Sequence, residues 1–180
     1  MDFRDLAKRY SNQDQYETLN WTGSFAEYLA QVQEQPEITR NAFQRIYDMI
    51  MSWGHEEFTR NKKTMIRYRF FSDPIADGHD AIFGLEQPLM RLVGVLKSAA
   101  LGFGTEKRVI LLHGPVGSSK STIARMIKKG LEHYTRTDAG ALYTFQWRVD
   151  EKDEWEDSPM HEEPLKLIPP DVRQDRKSVV

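Results

Sequence analysis

From residue 24 onward the spacing of apolar side chains switches several times between a helical and an alternating period, and those switches lay out the chain. Phe25, Tyr28, Leu29 and Val32 recur at helical spacing, directly after Ser24 and Glu27. The S-x-x-E pair is a capping box, in which each side chain can satisfy a backbone donor at the helix start. A helix over Ser24–Val32 follows. Beyond Pro36 a second stripe runs through Phe43, Ile46, Ile50 and Trp53, with Thr39 as the expected N-cap and Gly54 as the stop. The period then changes. Between Thr64 and Phe71 the apolar Ile66, Tyr68 and Phe70 alternate with Arg67 and Arg69, the pattern of a half-buried strand with a solvated face. Asp73-Pro74 and Asp77-Gly78 supply turn chemistry, and a domain boundary is expected there, with residues 1–75 as a small helical N-terminal region and 76–180 as a second region.

In the second region Leu89, Leu92, Val93, Leu96 and Ala100 form a helical stripe, Pro88 suits its first turn, and Gly102 and Gly104 end it. Val109-Ile110-Leu111-Leu112 is a short, wholly aliphatic run, as expected of a strand buried on both faces of a parallel sheet. Another helical stripe follows in Ile123, Met126, Ile127 and Leu131. Tyr143, Phe145, Trp147 and Val149 alternate with polar residues, so Leu142–Val149 reads as a strand. Beyond Glu151 the chain is acidic and then proline-rich, and no further strong element is expected.

Between the aliphatic run and the helix that follows lies Gly114-Pro115-Val116-Gly117-Ser118-Ser119-Lys120-Ser121. Gly114, Lys120 and Ser121 stand where the Walker A pattern G-x-x-x-x-G-K-[ST] requires them, and Ser119 takes the place of the second glycine. The chemistry survives that change. A strand ending at His113 hands the chain to a tight loop whose successive N–H groups form an anion nest, and the next helix presents its positive end to the same anion. Lys120 would reach the β- and γ-phosphates of ATP, and the Ser121 hydroxyl would help hold Mg²⁺. Serine at 119 is small and can itself donate to a phosphate oxygen, but it disfavours the loop if φ is positive there.

Composition narrows the remaining choices. The 180 residues contain no cysteine, which excludes disulfides, zinc–thiolate sites, iron–sulfur clusters and cysteine nucleophiles. Lys and Arg number 25 against 27 Asp and Glu, a formal charge of −2, so the electrostatic footprint of a nucleic-acid binder is missing. Val109–Leu112, the longest aliphatic run, is far too short for a bilayer, and Met1–Asp5 lacks the apolar core of a secretory signal, so a cytoplasmic protein is expected. Gly102-Phe103-Gly104 resembles a kinase glycine loop, but no V-A-I-K, H-R-D or D-F-G follows, and it reads as a turn. Val149-Asp150-Glu151 ends a strand interrupted by Gln146 and Arg148, which argues against Walker B. His55-Glu56-Glu57 and His161-Glu162-Glu163 lack the second histidine of a zinc hydrolase, His113 reads as a structural histidine, and Phe3, Tyr10 and Tyr16 read as packing residues.

Phe25–Leu29, Ile38–Ile50, Phe83–Glu86, the phosphate loop, Gly130–Tyr134, Gly140–Tyr143, and Pro159-Met-His-Glu-Glu-Pro-Leu165 with Leu167–Pro169 together resemble the N-terminal region of the bacterial PrkA proteins, from about residue 20 to 172. These are described as serine protein kinases built on an AAA+ ATPase domain. The resemblance implies an α/β fold, an incomplete P-loop NTPase (AAA+) parallel sheet preceded by a helical region. It also implies ATP and Mg²⁺ as cofactors and phosphoryl transfer to the serine of a protein substrate. Gly114, Pro115, Val116, Gly117, Ser118, Ser119, Lys120, Ser121 and Thr122 would then bind the nucleotide. Lys120 would be the catalytic cation and Ser121 the metal ligand, with Ile82, Phe83 and Gly84 bordering the adenine. Departures are Ser119 for glycine, Ser158 where cysteine is usual, a long acidic stretch at Asp150–Asp157 and the tail Lys177–Val180. Family members are several times longer, so the chain is expected to be an N-terminal portion whose own sheet leaves apolar surface uncovered. No residue stands out as a general base. An AAA+ remodelling ATPase or ATP-dependent protease, and a non-catalytic interaction module, remain open. A homo-oligomer is compatible with each, and neither nucleic acid nor a membrane is an expected partner.

Overall fold

A computed structural model describes residues 20–60, 62–149 and 154–172. Phe3, Tyr10, Tyr16, the Asp150-Glu151 step and the tail Lys177–Val180 lie outside them. The chain divides into two compact units, one formed by residues 40–140 and the other by the segments on either side.

The described residues of 40–140 form three α-helices, short 3-10 turns and a hairpin. Helix α2 (Ala42–Ser52), which follows α1 (Phe25–Glu34) of the other unit in the sequence, leads to β1 (His55–Arg60) and β2 (Lys63–Tyr68); α3 is Glu86–Ala100 and α4 is Lys120–Tyr134. The α2 N-cap is Asn41, not the expected Thr39. Asn41 and Gln44 exchange side-chain-to-backbone hydrogen bonds of 3.0 and 2.9 Å, a reciprocal box, while the Thr39 hydroxyl donates to the Pro36 carbonyl in a 3-10 turn. Gly54 follows the helix with φ +78°, the left-handed geometry that glycine adopts at no steric cost.

The strand expected over Thr64–Phe71 is present as β2 but stops at Tyr68. Arg69–Ser72 turns into a 3-10 helix, which drives both Phe70 and Phe71 into the core. Its partner β1, His55-Glu-Glu-Phe-Thr-Arg60, has no alternating pattern and pairs with β2 in antiparallel register, His55 opposite Tyr68. Arg67 and Arg69 are committed to carboxylates: Arg67 to Glu86 at 3.2 Å while lying over the Phe58 ring, and Arg69 to Glu56 at 3.0 Å.

Met49 and Ile50 of α2, Phe70, Phe71 and Ile82, Leu89, Val93 and Leu96 of α3, and Ile123, Met126 and Tyr134 of α4 make one continuous core. The expected helical stripes of α3 and α4 therefore face inward. Gly130 belongs to the α4 face as well. A Cβ there would meet Phe70 and Met49 below 3 Å, so its lack of a side chain permits close packing.

The aliphatic run is a correction. Val109–Leu112 carries no regular secondary structure, and Val109 and Leu111 are 96% and 82% exposed. A strand exists only through a ladder partner. Among the described residues the sheets are two antiparallel hairpins, neither of which includes this run, so the expected strand is not formed there and the parallel sheet is not seen among them.

The other unit contains α1 (Phe25–Glu34), with the expected Ser24/Glu27 capping box, and a short hairpin of β3 (Gln146–Val149) and β4 (Glu154–Asp157). The expected Leu142–Val149 strand is thus shortened at its start, and the acidic segment where no element was expected supplies its antiparallel partner. Tyr28 is buried against Tyr143, whose ring also meets Trp21 edge-on at 5.6 Å. The Tyr28 hydroxyl donates to Glu163, in the Pro159–Leu165 motif, at 3.4 Å. Burial first, and then the Glu163 charge, push the Tyr28 phenol well above its usual range. Ser158 is buried, and its N–H extends the hairpin to the Phe145 carbonyl at 3.0 Å. A small side chain fits that site, as serine and cysteine both are. Among the described residues no helix is long and apolar enough to cross a membrane.

Candidate functional site

Residues 113–119 form a loop that runs directly into α4 at Lys120. The turn is made by two left-handed residues, Gly117 at φ +81° and Ser119 at φ +57°, ψ +15°. The second is the position where the pattern calls for glycine, and the backbone explains why. A residue with a Cβ in that region costs about 1–2 kcal/mol. Ser119 nevertheless takes the conformation, and its carbonyl accepts the first helical hydrogen bond from Ile123 at 2.9 Å. Val116 forms the fully exposed tip.

Lys120 is the first residue of α4, and its ammonium turns back into the loop. It donates to the carbonyls of Gly114 (2.8 Å) and Pro115 (2.5 Å) and to the Ser118 hydroxyl (2.9 Å). The Ser118 hydroxyl in turn donates to Pro115 O at 2.8 Å. Gly114 sits so close to this group that a Cβ on it would lie 2.8 Å from Ser118 Oγ. The structure therefore brings Gly114, Pro115, Ser118 and Lys120 together around one cation. Ser121 and Thr122 follow in the first turn of α4, where a helix leaves its N–H groups without intrahelical partners. Loop, lysine and helix end are the parts that a phosphate needs: cradle, counter-charge and oriented donors. A hydroxyl one residue after the lysine suits a hard cation such as Mg²⁺, so the residues fit both groups that the sequence implied.

The remaining expected residues lie elsewhere. Ile82 is a core residue, Phe83 is 81% exposed, and Gly84 has φ +75°. Ile82 and Phe83 border a cleft of ≈ 160 Å³ together with Tyr68, Phe71, Glu86 and Leu89, and that lining includes no residue of the phosphate loop. His55 and Glu56, set aside as a metal motif, belong to β1, where Glu56 serves Arg69.

Sequence reasoning missed the residues that fix the helix carrying Lys120. Arg125 forks onto Asp80, with Nε to Oδ2 at 3.0 Å and Nη2 to Oδ1 at 2.5 Å. One turn further on, Lys129 lies 3.7 Å from Asp73, whose side chain is almost fully buried and whose Oδ2 accepts the Asp80 N–H. Hydrogen bonding to Arg125 holds the Asp80 carboxyl below its usual range. Two charged contacts thus tie the first turns of α4 to the turn at residues 73–80. Arg125 and Lys129 are four apart on one helix face, a visible spacing, but nothing in the sequence pairs that face with aspartates about fifty residues earlier.

Residues 23–178 match the family described as the PrkA AAA domain. The chain is 39% identical over 176 residues to a Bacillus subtilis protein named ATP-dependent protease PrkA, covering 97% of this chain and 24% of that protein. An Escherichia coli K12 protein named serine/threonine kinase YeaG is 28% identical over 105 residues, 57% of this chain and 16% of its own length. A shorter Geobacillus stearothermophilus protein, named only as an uncharacterized protein in the gldA 5′ region, is 40% identical over 88 residues, or 79% of its length. The chain thus spans about a quarter of the Bacillus relative's length. No solved structure matches at comparable significance. With the match extending over nearly all of the described residues, the chain belongs to the PrkA AAA domain family.

Proposed function

We propose that the chain binds Mg-ATP through residues 114–122 and serves as the nucleotide-binding part of a PrkA-type ATP-dependent enzyme. The observation that carries this reading is the left-handed pair Gly117 and Ser119 leading straight into α4, with the Lys120 ammonium inside the loop. Gly114, Gly117 and the backbone of Pro115, Val116, Ser118 and Ser119 would surround the phosphates. Lys120 would neutralise the β- and γ-phosphates, and Ser121, followed by Thr122, would take the metal side. Phe83 and Gly84, next to Ile82, are proposed to border the adenine. Val109–Leu112, exposed here, would be the strand that enters the parallel sheet of an AAA+ domain. Bound Mg²⁺ would supply charge stabilisation at the transferring phosphoryl group.

For the whole protein we favour phosphoryl transfer to serine of a protein substrate, on the family resemblance and on the name that the Escherichia coli relative carries. ATP-driven proteolysis or remodelling is the second reading, favoured by the name of the more similar Bacillus relative. Ligand binding stabilises a folded state by RT ln(1 + [L]/Kd). Millimolar Mg-ATP is therefore expected to raise the melting temperature of the chain, and adenosine is not; equal shifts from both, or none, would refute nucleotide binding through the phosphates. Incubating the full-length protein with γ-labelled ATP and a mixed protein substrate separates the two activities: label on serine supports transfer, and fragments without label support proteolysis.

A further inference from the structure

We propose that the phosphate loop is latched shut by Ser118, a positioning residue whose hydroxyl holds Lys120 away from the nucleotide. This deepens the ATP-binding reading and rests on it. A lysine ammonium has three N–H donors and no acceptor. All three are matched here, by Gly114 O, Pro115 O and Ser118 Oγ at 2.8, 2.5 and 2.9 Å. Two of those acceptors are backbone atoms and cannot be exchanged by substitution. The third is a side chain with a second task, because Ser118 Oγ also donates to Pro115 O at 2.8 Å. One hydroxyl therefore closes a ring of three groups: it receives from Lys120, gives to Pro115, and Pro115 O also receives from Lys120.

A phosphate oxygen reaching Lys120 must replace at least one of these acceptors. The Ser118 oxygen sits on the same loop that has to wrap the phosphate, and its proton is already given to Pro115. The closed ring thus competes with phosphate for Lys120, and the apparent affinity is reduced by the fraction of molecules in which it is open. Ser118 weakens binding in this scheme, the reverse of a serine that donates to phosphate.

The experiment uses the 180-residue chain and two readouts, of which one needs no nucleotide. Titration calorimetry with Mg-ATP compares wild type, Ser118→Ala and Ser118→Thr. In parallel, each protein is treated without nucleotide with an acetylating N-hydroxysuccinimide ester, and peptide mass mapping gives the labelling rate of Lys120 relative to the exposed Lys97. Loss of one charge-assisted hydrogen bond is expected to make Ser118→Ala bind Mg-ATP about fivefold tighter and label at Lys120 about fivefold faster. Ser118→Thr, which keeps the hydroxyl, is expected to match wild type in both. Weaker binding by Ser118→Ala would overturn the latch by showing that the hydroxyl serves the phosphate. Unchanged labelling, or faster labelling without tighter binding, would also overturn it. If wild type binds no Mg-ATP, the ATP reading fails on that arm alone, and the labelling rate still decides whether Ser118 restrains Lys120.

Discussion

Two glycines in the middle of helices offer the same substitution with opposite expected signs. Gly94 lies on the exposed face of α3, and a Cβ built there meets nothing within 4 Å. Alanine in its place removes glycine's excess backbone entropy and stabilises by about 0.5–1 kcal/mol. Gly130 lies on the buried face of α4. Its added Cβ would come to 2.6 Å from Phe70 Cε2 and 2.7 Å from Met49 Sδ. Those neighbours have no solvent to retreat into, being 1% and 0% exposed. Overpacking of this kind costs about 1–3 kcal/mol, and the same helix gain offsets only part of it. Gly130→Ala is therefore expected to gain nothing and to lose up to about 2.5 kcal/mol net, by the difference of those two ranges. Urea unfolding of both variants beside wild type reads the result as midpoints at constant slope. For a chain of this size about 1 kcal/mol also moves the melting temperature by about 2–4 °C. If Gly130→Ala stabilised as Gly94→Ala does, α4 would not press on Phe70 and Met49, and the placement of the helix that carries Lys120 would be wrong.

Ser119→Gly relieves the cost of about 1–2 kcal/mol of a left-handed serine, and glycine's greater freedom when unfolded returns about 0.5–1 kcal/mol. A gain of up to about 1.5 kcal/mol in urea is expected, with loss in Ser119→Val; a lower midpoint for Ser119→Gly would contradict the positive φ. Asp80 has a depressed carboxyl, so the stability it contributes is complete above the unfolded carboxylate value of about 3.9 and is lost as pH falls through its lower folded value. Arg125→Leu should accordingly be less stable than wild type at neutral pH, and the gap should close on acidification below about pH 4. A gap that is constant from pH 7 to pH 3 would show that the Arg125–Asp80 pair does not stabilise the fold.

The legible elements are those whose signals are local. The α1 capping box is written in Ser24 and Glu27, and the inward faces of α3 and α4 are written in their apolar spacing. The segment Gly114–Ser119 was equally legible as a tight loop entering a helix, because the glycine and serine positions set its turns. What failed was pairing. His55–Arg60 is polar and without period, and it becomes a strand because β2 lies beside it. Glu154–Asp157 becomes one through Gln146–Val149. Val109–Leu112 has the composition of a buried strand but no strand partner among the described residues, so it remains exposed. The Asn41 cap prevailed over Thr39 because Gln44 reciprocates at the right spacing while Thr39 closes a turn of its own. The Arg125–Asp80 and Lys129–Asp73 contacts join distant segments, which no window along the sequence can see.

The central claim is that Lys120, at the head of α4 and inside the 114–121 loop, is the cation for a nucleotide's phosphates. Calorimetric titration of Mg-ATP into the chain and into Lys120→Ala tests it most directly. The account predicts saturable binding by wild type and none by Lys120→Ala, with the variant's unfolding otherwise cooperative. Equal affinity in the two proteins would contradict it.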